Sequence, residues 1–421
     1  MDYVENIQSV KIKKGSKGDS KTKRSNQKWA VLSISSIPLV MTLGNSMLIP
    51  VLPVMEKKLG ISPFQSSMII TIYSIVAIIL IPVAGFLSDH IGRKKVIIPS
   101  LAIAAIGGLI AAWAGWKMDN PYSIILIGRA LQGVGAAGAF PIVLPLVGDL
   151  FKSDEDVSSS LGLIETSNTL GKVLSPILGA FLAGLIWFIP FLSIPFFCLL
   201  SILLMIFLVK TPNKRQKPIP FKRFIANMKE TFKNNWQWLY AVFIIGIILM
   251  FVLFAVLFYL SDILEKVYDV KDVKKGLLLA IPLGGLCIAS YITGKLIKEN
   301  KILMKWITFG GIVLLSASIA FLSFSKNMWF MIWLFLVSGI GIGVALPCLD
   351  AFITSGIEKQ ERGTVSSIYS SMRFIGVAAG PPLMAIMMKH AENILFYILS
   401  ALSIVAVIAT FKAIKPEKKP R

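Results

Sequence analysis

Histidine is nearly missing from this chain: His90 and His390 are the only two among 421 residues. Neither sits in a cluster with Cys or acidic residues, so a zinc site or an H-E-x-x-H protease has no ligands to use. Cysteine is also scarce, and Cys198, Cys287 and Cys348 are odd in number and lie in apolar stretches. They describe no disulfide framework. No G-x-x-x-x-G-K-[ST] run is present, which removes the usual phosphate-cradling loop of a nucleotide-driven machine. Charge is thin as well, at 15% Asp, Glu, Lys and Arg. That is too little to coat a soluble protein of this size.

What is abundant is apolar residue, 55% of the chain at a mean hydropathy of +0.76. Continuous runs long enough to cross a bilayer as helix recur from end to end. They fall at 29–55, 64–88, 96–116, 122–150, 158–186, 188–209, 236–264, 276–297, 303–324, 328–356, 363–388 and 392–413. Continuous runs rather than short alternating ones predict helices and not a β-barrel. The fold class expected is therefore all-α and polytopic, with twelve transmembrane helices.

The formal charge of +21 invites a nucleic-acid reading, but its distribution argues for topology instead. With both termini on one side, 31 of the 43 Lys and Arg fall on that side, counting helix ends, and 9 on the other. Such asymmetry places the termini in the cytoplasm. The basic tails then act as topology determinants that attract anionic lipid headgroups, and no nucleic-acid partner is expected. The first apolar run follows 28 polar residues and is too long for a signal-peptide core, so it reads as a retained anchor.

Composition divides the chain into a basic tail (1–28), a six-helix bundle (29–209), a Pro- and Lys-rich cytoplasmic linker (210–235), a second six-helix bundle (236–413) and a short tail (414–421). Within the linker, Phe221, Phe224, Ile225, Met228 and Phe232 have helical spacing among basic residues. This fits either a short helix on the membrane surface or a solvated linker. The halves echo each other. "GVGAAGAFP" ending at Pro141 returns as "GIGIGVALP" ending at Pro347, and "GKVLSP" ending at Pro176 returns as "GVAAGP" ending at Pro381. Two pairs at nearly one offset imply a duplicated bundle, an architecture in which a substrate site lies between the halves.

Specific motifs sit on this frame. "GFLSDHIGRKKV" joins the second and third spans, with Gly85, Asp89, Gly92, Arg93 and Lys94 at fixed spacing; its glycines suit a tight turn and its charges suit ion pairing. "RALQGVGAA" in the fourth span carries Arg129 and Gln132, and "LGNSMLIPVLP" in the first carries Asn45. A lone Arg inside a span is costly and is kept for pairing, ion handling or substrate contact. Together these stretches resemble the signature motifs of the major facilitator superfamily, and the resemblance covers essentially the whole chain. It implies two pseudo-symmetric six-helix bundles working by alternating access, with the 85–94 loop as a gate latch whose Asp89 engages the other half. "GKLIKENK" after the eighth span has Lys298 where an acid would stand, so a second latch is not expected.

The fifth span holds Gly162, Gly171, Ser175, Pro176 and Gly179, similar to the antiporter motif of drug:proton efflux proteins in that superfamily, with Ser and Ala replacing two glycines. Small residues allow close helix approach, and proline removes a backbone hydrogen bond. Glu165, Asn168 and Lys172 follow at i, i+3 and i+7 and share one helix face. They make either an interhelical salt bridge, a substrate contact, or a proton-exchanging carboxylate tuned by Lys172 or Arg129. Asp350 and Arg373 are the comparable charges of the second half, and Asn45, Gln132, Asn168 and Arg373 are expected to line the cavity. Asp149, near the end of the fourth span, suits a helix-end or gating role.

The function implied is proton-coupled efflux of small amphiphilic drugs across the bacterial plasma membrane. The alternative is a dedicated exporter of an endogenous amphiphile such as a siderophore or lipid, and outside transport a receptor or scaffold. No enzymatic activity and no cofactor beyond the proton gradient are expected, and the working unit is expected to be a monomer.

Overall fold

The computed structural model describes residues 28–151, 154–209, 221–297, 300–357 and 362–414. Among the described residues twelve helices are long and apolar enough to cross a membrane: Lys28–Leu59, Pro63–Ile91, Arg93–Lys117, Tyr122–Leu150, Gly162–Leu185, Ile189–Leu208, Trp236–Lys266, Asp272–Ile297, Lys301–Phe324, Met328–Gly356, Val365–His390 and Glu392–Ala413. They are called the first to the twelfth helix below. Their outward faces carry large bare side chains such as Ile79, Phe196, Phe207 and Trp333. An apolar belt of that extent belongs against lipid.

The first, fourth, seventh and tenth helices are the most enclosed, the seventh and first above all. They hold equivalent places in the two repeats, and glycine contacts make the equivalence explicit. A Cβ on Gly133 would strike the Tyr73 carbonyl of the second helix, and one on Gly135 would lie 2.5 Å from the Ser100 carbonyl of the third. In the second half, Gly339 meets the Pro282 carbonyl of the eighth helix, and Gly341 would lie 2.5 Å from the Gly311 carbonyl of the ninth. The echoed "GVGAAGAFP" and "GIGIGVALP" stretches are thus one packing device used twice, with backbones touching where a side chain would hold them apart.

Proline shapes the helices that bound the centre. The first helix tightens to a 3-10 turn at Ile49–Val51. Pro53 has no N–H to give the Ile49 carbonyl, which takes a hydrogen bond from the Ser261 hydroxyl of the seventh helix at 3.0 Å instead. The fourth helix breaks at Phe140–Ile142, around Pro141. The halves meet where the second helix packs on the eleventh and the fifth on the eighth. At the first of these seams the Thr71 hydroxyl donates to the Ala378 carbonyl at 2.7 Å.

Several boundaries differ from the sequence reading. The first helix runs through Glu56 to Leu59 and the eighth starts at Asp272, which brings charged residues into the helical ends. Opposite charges on adjoining helices neutralise one another there, a compensation hydropathy alone does not register. Residues 221–235 continue the seventh helix backwards as one helix, Phe221–Lys266, and are not a separate surface helix. The tails to residue 27 and from residue 415, the linker at 210–220, and Lys298 lie outside the described residues.

Candidate functional site

The fifth helix places its charged face at the centre because small residues on it let the first helix approach. A Cβ on Gly179 would strike the Met47 carbonyl, Gly171 faces Leu39 and Thr42, and the Ser175 hydroxyl returns to the Gly171 carbonyl at 2.6 Å. On the other side the Pro176 carbonyl would lie 2.5 Å from a Cβ on Gly276 of the eighth helix. The motif at 171–179 therefore packs both within the first half and across the seam. Gly162 does not take part: nothing lies within 4 Å of where its Cβ would be. It is exposed near the start of the span, so the expectation of a packing role is corrected there.

Between the halves lies a cavity with about 620 Å³ of atom-free space, walled by the first, second, fourth, fifth, seventh and eleventh helices. Asn45, Asn168 and Arg373 line it as expected, together with Lys172, Thr42, Ser46, Ser370 and the rings of Tyr73, Phe140, Phe254 and Phe374. A smaller, mostly apolar void of about 330 Å³ also borders Lys172, Ser46 and Phe254, and is otherwise lined by Ile49, Pro176, Leu253, Leu257, Leu279 and Leu283. Lys172 stands at the junction of the two.

Glu165, Lys172, Asp350 and Arg373 converge without all pairing. An Arg373 guanidinium nitrogen lies 3.3 Å from an Asp350 carboxylate oxygen, and Asp350 keeps 34% of its side chain accessible. The buried Tyr369 hydroxyl lies beside that carboxylate without meeting hydrogen-bond geometry, while the Arg373 guanidinium sits 5.5 Å from the Tyr369 ring centre. Glu165 accepts from the Asn168 amide at 3.2 Å, and Asn168 in turn accepts from the Thr42 hydroxyl at 2.6 Å. Lys172 lies within electrostatic reach of Glu165, Asp350 and Arg373, yet its ammonium finds no hydrogen-bond partner among the described residues. The simple salt bridge between Glu165 and Lys172 is not formed.

Arg129 has a different place. It is fully buried, and it donates to the Ile69 carbonyl at 2.7 Å, the Gly44 carbonyl at 3.0 Å, the Gln132 side-chain oxygen at 2.5 Å and the Asn45 side-chain oxygen at 2.7 Å. Its guanidinium also stacks 4.6 Å from the Tyr73 ring centre. Neutral acceptors on the first, second and fourth helices engage all three guanidinium nitrogens, and Glu165 is not among its described hydrogen-bond partners. Gln132 lies buried against Gly107 and Gly108 as a partner of Arg129 and is absent from the cavity wall.

The loop expected to latch the gate also differs. Gly92 turns the chain with φ +103°, a conformation that favours glycine. Asp89 pairs with Arg93 of its own loop, Arg93 reaches Asp149 at 3.2 Å, and Lys94 caps the sixth helix at the Val209 carbonyl at 2.7 Å. These described partners all lie in the first half. The approach to the second half is made by Gly85, whose Cβ would sit 3.4 Å from the Ser367 hydroxyl. Asp89 reaches Arg93 because the pair is i, i+4 across the turn, the nearest cation available to it.

Sequence reasoning missed a second charged group, at the face opposite the termini. Lys266 lies 2.7 Å from Glu56, Lys57 lies 3.0 Å from Glu265, and Lys275 lies 2.5 Å from Glu265 with both side chains almost fully buried. Ser66 adds a hydrogen bond to Glu56 at 2.7 Å. Glu56, Lys57 and Ser66 belong to the first half and Glu265, Lys266 and Lys275 to the second, so the network ties the halves together on that face. Its signal in the sequence was an acid and a base side by side at the ends of both the first and the seventh runs, "EK" at 56–57 and again at 265–266.

Comparison with known proteins adds a family. The model described as Major Facilitator Superfamily matches residues 34–381. A protein named bacillibactin exporter, from Bacillus subtilis (strain 168), is 54% identical over 393 residues, spanning 92% of this chain and 98% of its own length. The quinolone resistance protein NorA of Staphylococcus aureus (strain COL) is 25% identical over 350 residues, 80% of this chain and 84% of its own. Among solved structures, the human organic anion transporter MFSD10 (TETRAN) superposes with a TM-score of 0.71 at 15% identity, covering 91% of this chain and 99% of that one. A bacterial homologue of the human lysosomal transporter Spinster gives 0.72 at 14% identity, covering 92% and 96%. At such identities the structures speak for the fold alone.

Proposed function

The chain belongs to the major facilitator superfamily, and from that premise we propose that it exports a siderophore across the bacterial plasma membrane, by alternating access and in exchange for protons. The observation that carries this reading is the 54% identity with the bacillibactin exporter over nearly the full length of both proteins. The drug-efflux reading drawn from the fifth-helix motif has weaker support, since the relationship to NorA is 25%. A cavity with cationic and aromatic walls suits an amphiphile that bears acidic oxygens.

With the termini in the cytoplasm, the network of Glu56, Lys57, Glu265, Lys266 and Lys275 closes the outer face. The cavity then loads from the inside, and export requires those pairs to part. Glu165 and Asp350 are the carboxylates within reach of the cavity charges and are the candidates to carry the exchanged proton. The working unit is a monomer, with the cavity complete within one chain.

The test is transport by the purified protein in proteoliposomes with an imposed pH gradient. Accumulation of iron-free bacillibactin that collapses with the gradient, alongside weak or absent transport of a quinolone, is the expected result. Gradient-driven movement of the quinolone with none of the siderophore restores the drug-efflux reading.

A further inference from the structure

The cavity wall is unbalanced. Among the described residues that line it, Lys172 and Arg373 are cationic and no residue is acidic. Arg373 is answered from behind by Asp350 at 3.3 Å. Lys172 has acidic groups within electrostatic reach but none in contact among the described residues: its side chain is nine-tenths buried, its ammonium has no hydrogen-bond partner there, and Glu165 on the same helix is held by Asn168 instead. A buried ammonium without a partner is costly, and a folded protein retains one where a ligand supplies the missing charge.

The neighbours state what kind of ligand. In the larger cavity Lys172 shares the wall with the amide groups of Asn45 and Asn168 and with the rings of Tyr73 and Phe374; the smaller void it also lines is mostly apolar. The combination offers an anionic oxygen the ammonium with the Asn45 amide donor beside it, and a flat apolar body the rings. Lys172 also borders Pro176 in the smaller void, so the group that binds the anion belongs to the helix that packs across the seam on the eighth.

We infer that Lys172 is the anion-binding group of the central cavity and selects amphiphiles carrying a deprotonated oxygen next to an aromatic or apolar ring. The inference deepens the export reading above and rests on that cavity being the transport site. It differs from a structural role in one measurable respect. A lysine held in a salt bridge stabilises the empty protein, whereas an unpaired one waiting for its ligand destabilises it.

Two dyes with the same ring system separate these cases: 8-anilinonaphthalene-1-sulfonate, which is anionic, and N-phenyl-1-naphthylamine, which is neutral. Binding of each to the purified full-length protein is measured for the wild type, Lys172→Met and Lys172→Arg, with thermal unfolding of the empty proteins and bacillibactin transport in proteoliposomes in parallel. Lys172→Met is expected to weaken the sulfonate about tenfold, to leave the neutral dye unchanged and to unfold at the same or a higher temperature; Lys172→Arg retains the sulfonate. Equal loss of both dyes, or no loss of either, overturns the assignment, as does a large drop in unfolding temperature of the empty Lys172→Met protein. Lys172-dependent sulfonate binding without bacillibactin transport overturns the siderophore reading and upholds the anion site. Bacillibactin transport that Lys172→Met leaves unchanged does the reverse.

Discussion

The Lys266 ammonium at the end of the seventh helix lies 2.7 Å from a carboxylate oxygen of Glu56 at the end of the first, joining the two halves across 210 residues of sequence. Beside it the buried Glu265 holds Lys57 and Lys275 at once. Removing one member of a buried pair leaves its partner charged and uncompensated, at a cost of about 3–5 kcal/mol. Glu265→Gln therefore destabilises the closed face opposite the termini more than Glu56→Gln, because Lys275 is almost fully buried and has Glu265 as its described partner. A Ser46→Cys probe, in a chain whose three native cysteines are replaced, should react faster with an impermeant thiol reagent added from the face opposite the termini once Glu265→Gln is present. An unchanged rate shows that the network does not hold that face shut.

Arg129 is a structural tie, and its variants should behave accordingly. Four hydrogen bonds to the first, second and fourth helices engage four of the five guanidinium N–H groups. Arg129→Lys cannot reproduce a planar fork and should fail nearly as badly as Arg129→Ala. The measurement is yield and thermal unfolding in detergent, with losses of about 3–5 kcal/mol in stability. A well-folded Arg129→Ala protein that binds substrate but no longer responds to a pH gradient would reinstate Arg129 as a coupling residue.

How far the sequence carries follows from what each residue competes with. Span count, helical class and the Gly-rich faces were legible, because burial in lipid and backbone contact each demand residue types that few other constraints would select. That Glu165, Lys172, Asp350 and Arg373 are the charges to watch was also legible, since intramembrane charge is rare. Pairing was not. Arg129 turned to carbonyls on neighbouring helices, and Asp89 to the arginine in its own turn. Which partner wins depends on distances of a few ångströms set by tertiary packing. The network at Glu56 and Glu265 was hidden for another reason: residues at span ends read as interfacial until two ends are brought together.

Gly162 and Gly179 belong to one motif and should respond oppositely. Gly162→Ala places its methyl group in open space and should leave transport and stability within about 0.5 kcal/mol of wild type. Gly179→Ala drives a methyl group into the Met47 carbonyl, a backbone atom that cannot rotate away. The first and fifth helices must separate, at about 1–3 kcal/mol for an overpacked contact. Transport should fall with the second substitution and not the first. Equal tolerance would show that the fifth helix is not pressed against the first in the working protein.

Glu165 and Asp350 remain the two candidates for proton exchange, and their surroundings separate them. Asp350 is in contact with Arg373, so neutralising it leaves a cation unpaired next to Tyr369 and disturbs the cavity wall itself. Among the described residues Glu165 is held by an amide, and Asn168 can equally donate to a glutamine oxygen. Glu165→Gln should therefore preserve the fold and substrate binding while abolishing accumulation against a gradient, leaving downhill exchange intact. Asp350→Asn should impair binding and transport together, and the double substitution Asp350→Asn with Arg373→Gln should recover part of the binding by removing the stranded cation. The assays are substrate binding to the purified protein and uphill against downhill flux in proteoliposomes at several pH values. If Glu165→Gln still concentrates substrate with an unaltered pH profile, the carboxylate at 165 is not the coupling group, and the role passes to Asp350 across the cavity.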